Sequence, residues 1–303
     1  MTTVRAAVTA ASTAVLLALA GCASTADANG TPAGRSAVAT GVPADGYGQS
    51  TLLLRVAYAG GFVPANLIPT RLPLLSVYAD GRVFTQGPQI EIFPPPALPG
   101  LEVRRISPAD ARRLVDLAVA AGVGGSADYG QPGVADAPST RFTVRTDAGI
   151  RTTEVYALGN GDGDGLTGGL TAAQIAARRQ LWTLLSQLND LPRTLGPDAV
   201  SQSTLYAPSA IAAVVEEWRS PGPDQPAQEE KEWPGPTLPG PLLGGGLELH
   251  CVTASGAAAA RVASAATHAN TLTPWRSGNQ RWTLTLRPLL PDERDCADLR
   301  GQS

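Results

Sequence analysis

The chain has 303 residues, 43% of them hydrophobic, and a formal net charge of −3. That length allows one large domain or two small ones, and the apolar share is ordinary for a chain with a buried core. Lys231 is the only lysine and the sequence holds no block of Lys or Arg, which argues against a nucleic-acid partner, since phosphate contacts need clustered cations.

The first element is Met1 to Cys22. It carries one cation, Arg5, then an apolar run from Ala6 to Ala20, and closes on Leu19-Ala20-Gly21-Cys22. A membrane span needs about 20 apolar residues, so this run is too short and matches an export signal instead. The small residues Ala20 and Gly21 let a peptidase approach the backbone. The stretch resembles a bacterial lipoprotein signal. The resemblance implies that residues 1–21 are removed, that Cys22 is acylated on sulfur, and that the mature protein is extracytoplasmic and lipid-anchored to the cell membrane. A diacyl anchor supplies the two chains that stable attachment requires. Residues 22–50 are small, polar and Gly-rich. They bury too little apolar surface to offset ordering entropy and read as a flexible tether with a reach on the order of 30 Å.

Folded structure is expected over residues 51–303, with a subdivision, if there is one, near residues 192–206. Leu52, Leu54, Val56 and Tyr58 alternate with Leu53, Arg55 and Ala57, the period of a strand. Leu74 to Phe84 contains Asp80-Gly81 between two β-prone runs, a hairpin signal, because that turn needs positive φ. Pro94-Pro95-Pro96 forces an irregular passage. Ser107 to Ala121 reads as a helix. Ser107 caps it, Pro108 fits the first turn and Asp110 completes a capping box, while Ala111, Leu114, Val115 and Ala118 form one stripe and Gly122 stops it. A second hairpin turns at Asp147-Ala148-Gly149. Thr171 and Gln174 form another capping box and open a helix with Leu181, Leu184, Leu185 and Leu188 on one face.

Ala210 to Trp218 reads as a strand. Ser220 to Gly246 holds seven prolines and the acidic group Glu229, Glu230 and Glu232, and reads as a solvated loop. Ser255 is expected to cap a third helix facing inward with Ala259, Val262, Ala263 and Ala266. The last strand places Trp282, Leu284 and Leu286 inward and Arg281, Thr283, Thr285 and Arg287 outward. This order predicts an α+β fold, with antiparallel sheet built from hairpins and about three helices packed on one face.

With Cys22 taken by lipid, Cys251 and Cys296 remain. An even remainder in an oxidising compartment reads as one disulfide, the alternative being two buried thiols. Several segments, Gly60-Gly61-Phe62-Val63-Pro64, Tyr78-Ala79-Asp80-Gly81, Tyr129-Gly130-Gln131-Pro132-Gly133, Thr273-Pro274-Trp275 and Arg287-Pro288-Leu289-Leu290-Pro291, resemble a group of actinobacterial envelope lipoproteins. The likeness runs from about Leu52 to the C-terminus. It implies the same address and disulfide, and carries over no catalytic residue.

Candidate chemistry is sparse. Asn160, Asp162 and Asp164, followed by Gly165, resemble the start of a calcium loop, because alternate oxygen ligands suit a hard cation. The twelfth position is Thr171 where that loop needs a bidentate Glu, so the segment reads first as a polar connector and calcium is the alternative. His250 and His268 are the only histidines, and His250 would face away from Cys251 in a strand. Neither G-x-S-x-G nor H-E-x-x-H is present. Asp292, Glu293 and Asp295 read as a solvated charge group, with acid/base work as the alternative. Trp218, Trp233 and Trp275 read as loop anchors, or else as a platform for sugar or peptide. The expectation is a non-enzymatic envelope protein that binds a protein or cell-wall partner. The competing expectation is an envelope hydrolase acting on peptidoglycan or peptides, which a pocket with convergent carboxylates would favour.

Overall fold

A computed structural model describes residues 47–88, 91–159, 168–220, 222, 226–244 and 247–300. Among them the chain forms thirteen strands and five helices, a mixed α+β fold that is mostly sheet. In chain order these are β1 (Leu52–Ala59), α1 (Leu67–Thr70), β2 (Leu75–Tyr78), β3 (Arg82–Gln86), β4 (Leu101–Arg105), α2 (Pro108–Ala120), β5 (Ser139–Thr146), β6 (Gly149–Tyr156), α3 (Ala172–Asn189), α4 (Leu191–Leu195), β7 (Thr204–Leu205), β8 (Ala210–Glu217), β9 (Lys231–Glu232), β10 (Leu242–Gly244), β11 (Leu247–Ser255), α5 (Ala257–Ala266), β12 (Trp275–Ser277) and β13 (Gln280–Pro288).

The strands make two sheets within one compact unit. The first has the order β6-β5-β1-β2-β3-β4-β7, and all its neighbours are antiparallel. The second has the order β10-β11-β8-β13-β12-β9, antiparallel except where β9 meets β12. Every strand up to Leu205 belongs to the first sheet, and every strand from Ala210 belongs to the second.

Local chemistry accounts for the elements. Gly81 turns β2 into β3 at φ +82°, and its N–H donates to the Tyr78 carbonyl at 2.9 Å. The Ser107 hydroxyl accepts the Asp110 N–H at 3.0 Å and caps α2. The box there is not reciprocal, because the Asp110 carboxylate takes the Ser107 hydroxyl proton at 2.6 Å. At α3 the box is complete: Thr171 accepts the Gln174 N–H and Gln174 accepts the Thr171 N–H. The expected stripe of α2 and the four leucines of α3 are all buried. They share one cluster with Leu54, Val56, Val77, Phe142 and Val144 of the first sheet. Buried Arg178 of α3 donates to the carbonyls of Tyr129, Tyr156 and Ala157, which ties the helix to the end of β6.

In the second sheet, Ala259, Val262 and Ala266 of α5 pack with Ile211, Ala213, Val252, Trp275, Leu284 and Leu286. Ser255 does not cap α5. It ends β11, and Gly256 stands at the N-cap position at φ +55° without a side-chain bond. The described residues between 220 and 246 hold more regular structure than the solvated loop expected of them. They contribute β9 and β10, both at sheet edges, where a missing N–H costs least. Trp233 from this segment is buried edge-to-face against Trp275, with centroids 5.7 Å apart. These two tryptophans anchor the core; they do not form an open platform.

The tail after β13 joins the two sheets. Leu289 packs with Ala212, Val214 and Cys251 of the second sheet, while its neighbour Leu290 packs with Tyr78, Phe84 and Leu101 of the first. Cys251 and Cys296 form a disulfide, with Cα atoms 6.1 Å apart, that holds the tail to β11.

Candidate functional site

Four strands of the second sheet, β8, β10, β11 and β13, converge on an open groove of about 900 Å³. The pairing register brings its residues together: Val215 opposite His250, Glu217 opposite Trp282, and Glu216 opposite Thr283. From β10 and the segment before it come Leu242 and Pro239; from β11 come Glu248 and Leu249; Arg219 follows β8. Alternation along β11 sends His250 to the groove and Cys251 to the disulfide on the other face, as the sequence predicts.

The groove combines an aromatic floor with an acidic rim. Trp282 is buried and its indole N–H has no acceptor among the described residues. Glu217 and Glu248 are exposed, Glu216 is half-buried, and Leu242 stands 58% exposed at the edge. Three carboxylates against the single guanidinium of Arg219 make the lining net negative. His250 Nδ1 lies 2.8 Å from the Gly240 carbonyl. A carbonyl can only accept, so Nδ1 carries the proton and Nε2 is left as an acceptor in the neutral ring. Such a lining is complementary in charge to cationic groups.

The acidic tail residues sit elsewhere, and they correct the sequence reading. Asp292 and Glu293 are not a solvated group, and Arg287 does not point to solvent. Arg287 is fully buried and makes two bonds to the Glu293 carboxylate, at 2.6 and 2.8 Å. The Leu290 N–H gives Glu293 a third, at 2.8 Å. Asp292 Oδ1 accepts from Arg55 at 2.8 Å and from the Tyr78 hydroxyl at 2.5 Å. Burial works against the Glu293 charge, yet the bonds and field of Arg287, with Arg55 behind, hold its carboxyl below the usual range. Burial likewise opposes the Arg55 cation, but Asp292, Tyr78 and Glu293 raise it above its ordinary value. Burial, with Asp292 adding to it against the opposing effect of Arg55, pushes the Tyr78 phenol far up, so it stays a donor. The junction ties β1 and β2 of the first sheet to β13 and the tail, and all its members are paired. It is structural chemistry.

Of the site residues expected from sequence, Cys251 and Cys296 are brought together, while Cys22, Asn160, Asp162 and Asp164 lie outside the described residues. No group of three or more metal-ligating side chains occurs among the described residues. The groove was missed because its parts come from four strands far apart in sequence, so no local pattern gathers them. No protein family, no curated protein and no solved structure matches this chain.

Proposed function

We propose that the protein is an exported lipoprotein of the cell envelope, anchored by lipid on Cys22, whose folded region binds a cationic segment of an envelope protein or cell-wall polymer. The observation that carries the binding part is the acid-rimmed groove over Trp282. Its volume lies in the range of ligand sites, and its negative lining selects for positive charge. The anchor rests on the apolar run ending at Leu19-Ala20-Gly21-Cys22 and on the likeness to actinobacterial envelope lipoproteins.

Crosslinking in intact cells tests it. The parent chain is expected to capture one dominant partner, and both Cys22→Ser, which mislocalises the protein, and Glu217→Lys with Glu248→Lys, which inverts the rim, are expected to lose it. Capture that survives the rim reversal sinks the groove reading, and Cys22→Ser protein that still fractionates with membranes at its processed size sinks the anchor.

One observation favours a hydrolase as the second reading: three glutamates and a histidine line one groove. Turnover of peptidoglycan or peptide that disappears in Glu216→Gln would select it. Neither reading invokes a cofactor. A calcium ion held by Asn160, Asp162 and Asp164 would raise the melting temperature in millimolar calcium over EDTA, and identical melting removes it.

A further inference from the structure

Trp218, unlike Trp233 and Trp275, joins no buried cluster among the described residues. It stands half-buried just past the end of β8, on the wall of an open cavity of about 490 Å³. Strand pairing builds that wall. The Trp218 N–H donates to the Arg281 carbonyl of β13 at 3.4 Å, which carries the β8–β13 ladder one step further. Arg281 in turn lies opposite Arg276 of β12, and those two strands turn at Gly278-Asn279, with Gly278 at φ +62°. The Arg281 guanidinium lies over the Trp218 ring, 5.2 Å from its centroid, and holds the indole in place.

The charges on this wall cancel. Two arginines directly opposite each other repel, and Glu230 bridges them: Arg276 Nε lies 2.9 Å from one of its carboxylate oxygens, and Arg281 Nε pairs with the other. Glu232, opposite Arg276 on β9, pairs with a second Arg276 nitrogen. Glu217 is the other carboxylate of the lining, so two carboxylates stand against two guanidinium groups. The polar groups left over are mostly neutral. Asn279 and Gln280 are exposed, and neither their side chains nor that of Glu217 has a partner among the described residues. An amide offers donors and an acceptor on one flat group, and a carboxylate adds acceptors.

The ligand that fits such a wall is uncharged, rich in hydroxyls and apolar on one side. An ion of either sign meets its like there. An extended peptide uses the unpaired backbone of a sheet edge, but β8, β13 and β12 each have a neighbour on both sides. A hexopyranose meets the demands: its hydroxyls each donate and accept, and its C–H bonds form an apolar face that rests on an indole. We propose that this cavity binds a hexopyranose unit of a neutral carbohydrate, seated on Trp218 with its hydroxyls on Asn279, Gln280 and Glu217. The volume lies in the range of ligand sites. The cavity shares Glu217 and Trp282 with the acidic groove, but Trp218, Asn279 and Gln280 line the cavity alone, so the two readings stand or fall separately.

Titration calorimetry on the full processed chain in neutral detergent tests it. The probes are maltotriose, mannotriose, galactotriose and N-acetylated chitotriose, with glycerol as the plain polyol and a neutral Gly-Ser peptide as the competing class. At least one trisaccharide is expected to bind in the millimolar range or tighter, and glycerol and the peptide are not. Trp218→Ala is expected to weaken that binding by about tenfold or more, the loss of the stacked face. Asn279→Ala, on an exposed turn, is expected to weaken it by about threefold to tenfold, the loss of neutral hydrogen bonds. Arg113→Gln, on exposed helix surface, is expected to leave it unchanged. A neutral ligand is expected to keep its affinity as sodium chloride is raised, whereas a steep fall would mark charge recognition. The proposal is overturned by that fall, by glycerol or the peptide binding as well as any trisaccharide, by no trisaccharide binding into the millimolar range, or by Trp218→Ala and Asn279→Ala proteins that melt like the parent and bind as it does.

Discussion

The buried pair between Arg287 and Glu293 makes the sharpest claim about stability. Replacing Glu293 with Ala removes a carboxylate whose side chain is 3% exposed and which takes three bonds from buried donors. What is left behind matters more than what is lost: the Arg287 guanidinium stays fully buried beside a missing partner. Breaking such a pair from one side costs about 3–5 kcal/mol. For a folded region of this size each kcal/mol moves the melting temperature by about 2–4 °C, so a fall of roughly 6–20 °C is expected. The double variant Arg287→Met with Glu293→Leu removes both charges and fills the space with apolar side chains. Replacing a whole buried pair in this way is often near neutral. Here the Leu290 N–H still lacks its acceptor, at about 1–3 kcal/mol, so the double variant should recover part of the loss and not all of it. Thermal melts with the disulfide kept oxidised measure both. A Glu293→Ala protein melting with the parent, or a double variant melting below it, would refute the view that an uncompensated buried cation drives the effect.

Three further outcomes follow from the same geometry. Removing the disulfide by Cys251→Ala with Cys296→Ala frees a 45-residue separation; the chain-entropy account puts the loss at about 4 kcal/mol, read as a lower urea midpoint, and proteolysis should then open the tail after Pro291 first. Because the folded pKa of Glu293 is lowered from 4.5, its contribution is complete above that value and lost as pH falls through the folded one; melts from pH 7 downward should show this acid loss in the parent and a flatter profile in Glu293→Ala. At Gly81 an added Cβ would stand 2.1 Å from the Ile106 carbonyl oxygen at φ +82°, whereas at Gly149 it meets open space at φ +109°; urea unfolding should show Gly81→Ala the more costly by about 1–3 kcal/mol or more, since both share the backbone strain and only one adds a clash.

Elements defined by neighbouring residues were legible in the sequence. The Asp80-Gly81 turn, the Ser107 and Thr171 caps, the leucine face of α3 and the alternation of Trp282, Leu284 and Leu286 all rest on contacts within a few positions. Two local readings failed for a local reason. Ser255 was taken into β11 by pairing with Ala210, which left glycine to start α5, and Asp110 met the Ser107 hydroxyl before it could reach the backbone. The strand β11 escaped notice because its polar positions, Glu248 and His250, line a groove and do not mark a loop.

By itself the sequence determined the α+β class, the antiparallel hairpins and the principal helices, because periodicity and capping act locally; it favoured a bridge between Cys251 and Cys296, which the structure forms. The tertiary structure alone decided where charge would lie. Arg287 sits at an alternation position that reads as solvent-facing, and Glu293 in a tail that reads as solvated, yet the two meet in the interior because the first sheet, the second sheet and the tail all close over that face. The acidic groove has the same origin: it gathers side chains from strands far apart in sequence, and only strand register brings them together.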